Sequence, residues 1–284
     1  MLAISVIIPV YRDWERLRLC LEALERQTLP ASEWEIIVAD NEPEGGSSST
    51  RLPVNARIVH EPRPGSYAAR NAAVALALGE HLAFTDSDCI PDPAWLENGL
   101  AALRSRSGAR ITGPVVIFRE PGSHYLPYLY DLHTAFPQQE YVRQGHCATA
   151  NLLVARRTFD QVGKFDECLS GGDSLWNMRA ASMGVPILYD PGVSVGHPAR
   201  RSLSEILRKR RRVVGSLALR QKVSLQRFAL SRLTPPVRRL LALRRANVGL
   251  RESILLFLII WFAQLAEARE YALVRLGMKS PNRT

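Results

Sequence analysis

Residues 4–10, Ile-Ser-Val-Ile-Ile-Pro-Val, form an almost unbroken apolar run. A run this short, rich in β-branched residues and without polar alternation, predicts a strand buried on both faces. Similar runs recur at 35–39, 57–60 and 81–85. The stretches between them change period. Leu17, Leu21 and Leu24 recur at helical spacing behind Asp13, a residue type that caps helices, and Ser66 opens a second helical pattern reaching residue 78. Pro93, at a tolerated early helix position, opens a third that runs to residue 104. Strands alternating with helices predict an α/β fold, a Rossmann-like, mainly parallel sheet flanked by helices. Ligands of such sheets lie beyond the carboxyl ends of the strands. The polar segments Asp40-Asn41, 61–71 and Asp86-Ser87-Asp88 all fall at that edge.

The second half is less regular. Residues 111–118 read as another strand, 147–155 as a mixed apolar segment, and 186–189 and 193–197 as short strand-like pieces. Gly171-Gly172-Asp173 opens a helix through residue 181, and from Leu203 the pattern is helical, interrupted at Pro235-Pro236. Composition, 46% hydrophobic and 23% charged over 284 residues, supplies a sizeable core and excludes a disordered tail, a collagen-like repeat or a disulfide scaffold. Cys20, Cys89, Cys147 and Cys168 lack any paired or metal-ligand spacing, which suits reduced thiols in a cytoplasmic protein. The chain runs from Met1 into a strand without a basic leader, so no signal peptide is expected. The net charge of +10 is unevenly placed: residues 1–199 carry −6, residues 200–251 carry +15 with Glu205 as their single acid, and the rest carries +1.

Asp86 and Asp88, one residue apart, end the apolar run 81–85. If the chain turns there, both carboxylates enter one mouth, and a divalent cation with hard oxygen ligands, Mg²⁺ or Mn²⁺, relieves their repulsion. A solvated acidic turn is the plainer alternative, and the position after a buried strand favours the metal. Arg63-Pro64-Gly65-Ser66-Tyr67-Ala68-Ala69-Arg70-Asn71 joins the third strand to a helix. Gly65 allows close backbone approach, the helix start offers N–H groups, and Arg70 adds a cation, a combination suited to a phosphate or nucleotide. An ordinary glycine turn with a helix cap is the alternative there. His197 follows the last strand-like piece and fits a third metal ligand or a diphosphate contact, with a structural histidine as the alternative.

Taken in order, 4–11, Ile36-Ile37-Val38-Ala39-Asp40-Asn41, Gly65…Ala69-Arg70-Asn71, Thr85-Asp86-Ser87-Asp88, Ala150-Asn151 and Gly171-Gly172-Asp173…Arg179 resemble the inverting family 2 glycosyltransferases of the GT-A fold, over roughly residues 3–200. The resemblance implies metal-dependent transfer of a sugar from a nucleotide-diphosphate donor, most often a UDP-sugar, to a glycan or lipid-linked acceptor. By the same resemblance Pro9, Val10 and Tyr11 line the nucleotide base and Asp40 contacts it. Arg70 then lies near the base or diphosphate, Asp86 by the ribose and metal, Ser87 and Asn151 among the donor-binding positions, and Asp88 on the metal. Asp173 takes the position of the catalytic base. Gly172 stands where the family usually has Glu, and Glu42-Pro43 replaces the Gly-Ser that commonly follows Asp-Asn. Inverting transfer needs one carboxylate to accept the acceptor's proton and charge stabilisation for the departing diphosphate, whereas glycoside hydrolysis needs two carboxyls flanking the bond. The implied organisation is a catalytic domain over 1–200, with a nucleotide-binding part (1–118) and an acceptor part (119–200), and a basic helical arm over 201–284.

Within the arm, residues 254–263 are uninterruptedly apolar, with Arg251 and Glu252 before them and Glu267 and Arg269 after. Ten residues fall short of the ~20 needed to cross a bilayer. With Arg238, Arg239, Arg244, Arg245 and Arg251 alongside, the pattern predicts an interfacial helix on an anionic membrane surface, hence a peripheral location at the cytoplasmic face. Packing against the catalytic domain or a second copy is the alternative. Two other function classes fit less well. A haloacid-dehalogenase-type phosphatase carries its Asp-x-Asp after the first strand, not the fourth, and Ile90 does not match its pattern. A nucleic-acid binder would leave residues 1–199 as a net-negative passenger, and the arm offers a single aromatic, Phe228, between 200 and 251. Nucleic acid is therefore not an expected partner. A homologue that binds a nucleotide sugar without turnover is the remaining alternative, raised by Gly172. Nothing in the pattern specifies an oligomeric state.

Overall fold

The structure, a computed structural model, describes residues 2–46, 50–220 and 223–281. In chain order the elements begin β1 (Ile4–Val10), α1 (Trp14–Leu24), β2 (Trp34–Asp40), β3 (Ala56–His60), α2 (Ser66–Leu76), β4 (His81–Phe84) and β5 (Ile90–Pro91). There follow α3 (Trp95–Ser105), β6 (Arg110–Thr112), β7 (Val115–Phe118), α4 (Tyr125–Thr134), α5 (Gln138–Arg143), β8 (Leu152–Ala155) and α6 (Arg156–Val162). The last are α7 (Gly172–Ser182), β9 (Ile187–Tyr189), β10 (Val195–Pro198), α8 (Leu203–Arg220), α9 (Leu225–Leu233), α10 (Val237–Arg245) and α11 (Leu250–Arg275). Two compact units result: a sheet unit of Met1–Val116, Phe136–Cys168 and Gly172–Pro198, and a helical unit of Ile117–Ala135, Leu169–Gly171 and Ala199–Thr284.

The sheet runs β3-β2-β1-β4-β8-β6-β9. The β1–β2, β1–β4, β2–β3 and β6–β9 pairs are parallel, as the strand–helix alternation predicts. β8 is antiparallel to both β4 and β6. Successive side chains of a strand point to opposite faces, and β1 feeds both. Ile4, Val6, Ile8 and Val10 pack with Leu17, Leu21 and Leu24 of α1 and Trp95 and Leu100 of α3. Ile7 packs on the other face with Tyr67 and Ala73 of α2, Phe159 of α6 and Trp176 of α7. A separate small pairing joins β10 antiparallel to β5.

Several boundaries differ from the sequence pattern. The run 111–118 is two strands, because Gly113-Pro114 interrupts it. A Cβ on Gly113 would lie 2.1 Å from the Val193 carbonyl oxygen, and proline donates no ladder hydrogen bond. Gly65, not Ser66, precedes the first turn of α2, with φ of +127°, a value that favours glycine. α3 starts at Trp95, two residues after Pro93, and α4 and α5 occupy a stretch with no clear periodicity.

In the helical unit, α11 is the centre, packed by α8, α9 and α10. Tyr271 stacks on Phe228 with ring centroids 3.9 Å apart, and its hydroxyl donates to the Val223 carbonyl. Glu267, almost fully buried, pairs with Arg210 of α8 at 2.5 Å and Arg232 of α9 at 3.2 Å. Leu129 and Tyr130 of α4 join Ile206, Leu256 and Ile260 in one apolar cluster. The opposite side of α11 leaves Ile254, Leu258, Phe262 and Leu265 exposed. Among the described residues no helix is long and apolar enough to cross a membrane. The four cysteines form no disulfide.

Candidate active site

Parallel pairing brings the carboxyl ends of β1, β2 and β4 to one edge of the sheet. Val10 sits opposite Asp40, Ile7 opposite Phe84, and Phe84 opposite Leu152, so the turn at 149–151 reaches the same edge. At this edge Asn41 clamps the loop before α2. Its side-chain amide donates to the carbonyls of Glu61 and Arg63, each at 2.7 Å, and its oxygen accepts from the Gly65 N–H at 2.8 Å. Asp40, 4% exposed, accepts from the Glu42 N–H at 3.0 Å and the Gly46 N–H at 2.5 Å, which folds the following loop back over the strand end.

The chain does turn after β4, and Asp86 and Asp88 are both half-buried there. The Asp86 carbonyl accepts from the Cys89 N–H at 3.0 Å. Its carboxylate is ion-paired to Arg70, a residue only 3% exposed. Asp88 Oδ2 lies 3.5 Å from His197 Nε2. His197 Nδ1 is 2.8 Å from the Pro198 carbonyl, which can only accept, so Nδ1 carries a proton. In the neutral ring Nε2 then turns a lone pair toward the Asp88 carboxylate. Two lone pairs facing each other require a proton or a shared cation between them, which fits a cation shared by Asp88 and His197, and the Asp86 carboxylate lies within 4.8 Å of that of Asp88. Cys89 also lies within 4.8 Å of the two carboxylates. It is wholly buried, burial pushes its thiol pKa up, and the sulfur faces the Ala150 carbonyl, so it belongs to the core rather than to a hard-ion site.

Asp173 stands in the first turn of α7. That turn is anchored by the wholly buried Asn177, which donates to the carbonyls of Asp173 and Cys147 and accepts from Arg110. Asp173 Oδ1 accepts two hydrogen bonds at 2.9 Å, from the Ser174 N–H and from the Tyr67 hydroxyl. The Tyr67 ring lies under the Arg70 guanidinium, 5.3 Å from Cζ to the ring centroid. Burial pushes the Tyr67 phenol well above its usual range, and the neighbouring Asp173 charge adds to the effect. A chain of contacts thus joins Asp173, Tyr67, Arg70 and Asp86.

The other expected donor positions lie at and behind this edge. Pro9 and Val10 are buried within β1, and Tyr11 is the first residue of that segment with partial exposure. Asn151 is 0% exposed. Its oxygen accepts from Trp95 Nε1 at 2.9 Å, and its amide donates to the carbonyls of Pro114 and Val193. It braces the core behind the site. Ser87 is half-buried in the acidic turn. Sequence reasoning overlooked Tyr67, Asn41 as a clamp, and Phe136, whose ring lies 4.7 Å from that of His197. Tyr67 carried a usable signal: a polar-tipped aromatic three residues before Arg70 shares its helix face, and a buried tyrosine hydroxyl needs a partner.

Solved structures share this fold. The structure of GalNAc-T7 with UDP, GalNAc and Mn²⁺ matches with a TM-score of 0.54 at 16% identity, over 73% of this chain and 47% of that one. That likeness shows the chain's fold, GT-A. Its family follows from sequence: the model of glycosyl transferase family 2 matches residues 5–163, more than half of the chain, and the chain belongs to that family. It is 35% identical over 218 residues to Glycosyltransferase AglE of Haloferax volcanii, spanning 74% of this chain and 71% of that protein. It is 24% identical over 228 residues to the pre-mycofactocin glycosyltransferase of Mycobacterium tuberculosis, spanning 76% of this chain and under half, 47%, of that protein.

Proposed function

We propose that the protein catalyses metal-dependent, inverting transfer of a sugar from a nucleoside-diphosphate donor, a UDP-sugar, to a hydroxyl of a glycan or lipid-linked acceptor. The observation that carries this reading is a carboxylate on α7, Asp173, linked through Tyr67 and Arg70 to the acidic turn that ends β4. In one displacement the acceptor oxygen bonds to the anomeric carbon as the bond from that carbon to the diphosphate oxygen breaks. The acceptor proton passes to Asp173, and the diphosphate leaves with the bonding pair. Arg70 faces the departing charge from α2. Asp86, Asp88 and His197 would hold Mn²⁺ or Mg²⁺, which when bound supplies positive charge against the diphosphate. The solved neighbour's UDP and Mn²⁺ support this choice of donor and ion.

Thermal unfolding with UDP, GDP, CDP and dTDP, with and without Mn²⁺, tests the reading. One nucleotide, expected to be UDP, should stabilise in a Mn²⁺-dependent manner, by about 2.7 kcal/mol at a hundredfold excess over Kd. Asp88→Asn should remove the Mn²⁺-dependent part. No response to any nucleotide would overturn the proposal. For location, the exposed stripe of α11 and the positive charge of the helical unit support a peripheral site on an anionic membrane, at its cytoplasmic face.

A further inference from the structure

We infer that Tyr67 is the positioning residue for Asp173, and that Tyr67 and Gly172 form a matched pair standing in for the acid the family usually carries at 172. The inference rests on the reading of Asp173 as the base. A base must present a fixed lone pair, and a carboxylate in a helix's first turn has two oxygens and a rotatable χ angle between them. Here Oδ1 is held from two directions, by the Ser174 N–H of its own turn and by the Tyr67 hydroxyl from α2. Oδ2 accepts no hydrogen bond among the described residues, so it is the oxygen left to take the acceptor's proton. Tyr67 is itself fixed: it is 6% exposed, its ring packs on Phe165 at 5.7 Å between centroids, and Arg70 lies over its face. An ionised carboxylate can only accept, so the phenol hydroxyl is the donor of this bond.

Gly172 follows from this placement. A Cβ there would lie 2.8 Å from Cγ and Cδ2 of the Tyr67 ring and 2.8 Å from the Asp166 carbonyl oxygen. The ring occupies the space that a glutamate at 172 would need, and brings a neutral donor to Asp173 where the glutamate would bring a second negative charge. The substitution is therefore compatible with turnover and does not mark a silent homologue.

The test uses the full-length protein with Mn²⁺ and the sugar conjugates UDP-glucose, UDP-N-acetylglucosamine, GDP-mannose and dTDP-glucose, reading release of the nucleoside diphosphate as water takes the sugar in place of the acceptor hydroxyl and gives its proton to Asp173. Four forms are compared: unmodified, Tyr67→Phe, Asp173→Asn and the double variant. Tyr67→Phe keeps the ring and removes one hydrogen bond, so kcat should fall about tenfold with donor KM changed less than about twofold. Its melting temperature should stay within about 2 °C. Asp173→Asn should lose about a hundredfold or more. The double variant should be no slower than Asp173→Asn alone, because Tyr67 acts through that carboxylate. Full kcat in Tyr67→Phe beside an inactive Asp173→Asn would reduce Tyr67 to a space-filler and overturn the inference while leaving the base reading intact. The inference is likewise overturned if Tyr67→Phe raises KM at unchanged kcat, or slows the Asp173→Asn background equally. Full kcat in Asp173→Asn would overturn the base reading itself, and absence of release from all four donors would overturn both.

Discussion

Asn151 and Asp88 are short polar side chains at the same edge of the sheet, yet their surroundings assign them opposite work. Asn151 is wholly enclosed and spends its amide on Trp95, Pro114 and Val193. Replacing it with Ala would leave the buried Trp95 N–H and the Val193 carbonyl without their partner, while the Pro114 carbonyl keeps the Val195 N–H, so Asn151→Ala should lower the unfolding free energy by about 2–4 kcal/mol, read from urea unfolding. Asp88 is half-buried and opposes a histidine lone pair, and its loss should show in metal-dependent ligand binding rather than in the fold. The sequence made Asp86 and Asp88 legible because two carboxylates ending an apolar run have few structural uses. It hid the role of Asn151, because a chain position at the right edge says nothing about whether the side chain turns inward. It hid Tyr67 for the reverse reason: an aromatic among alanines on a helix reads as core, which its ring is, while its hydroxyl reaches another element more than a hundred residues away.

Elements follow the sequence wherever one local property decides them. β1, β2 and β4 come directly from β-branched runs buried on both faces, and α1 and α2 from helical spacing. The antiparallel insertion of β8 between β4 and β6 has no local signature, since pairing direction depends on how the chain returns to the sheet. The start of α7 was legible as a helix opening, but its Gly-Gly was not legible as a close approach, because the approaching ring comes from α2. That contact makes a testable demand on the element. Gly172→Ala must displace either the Tyr67 ring or the Asp166 carbonyl, both 2.8 Å from the added carbon, and should cost about 1–3 kcal/mol of stability. A melting curve equal to that of the unmodified protein would show that α7 can shift to admit a side chain.

At the scale of the whole molecule the charge of +10 divides into a net-negative sheet unit's sequence and a strongly positive C-terminal one, and α11 adds an apolar feature that charge counting does not show. Ile254, Leu258, Phe262 and Leu265 recur at intervals of four, four and three, which places them on one side of the helix, and exposed Arg251 and Arg269 stand at either end of that stripe. Trp261 ties the end of α9 alongside through its bond to the Leu233 carbonyl, and Leu230 and Leu233 are exposed there too. Burying the exposed half of each of the four apolar side chains is worth about 1 kcal/mol, and each arginine near an anionic surface about another 1 kcal/mol. Together these give about 6 kcal/mol, enough for reversible binding but not for permanent insertion, and neither contribution suffices alone. In vesicle flotation the protein should therefore bind phosphatidylglycerol-containing membranes, bind phosphatidylcholine weakly, and be released in part by salt, since the charge contribution is screened and the apolar one is not. Leu258→Glu with Phe262→Glu should abolish flotation at any salt concentration while leaving the helical unit folded, because neither side chain contributes to its core. If that pair of changes leaves flotation intact but alters the oligomeric state measured by light scattering, the stripe is the seat of a second copy of the chain and not of a membrane.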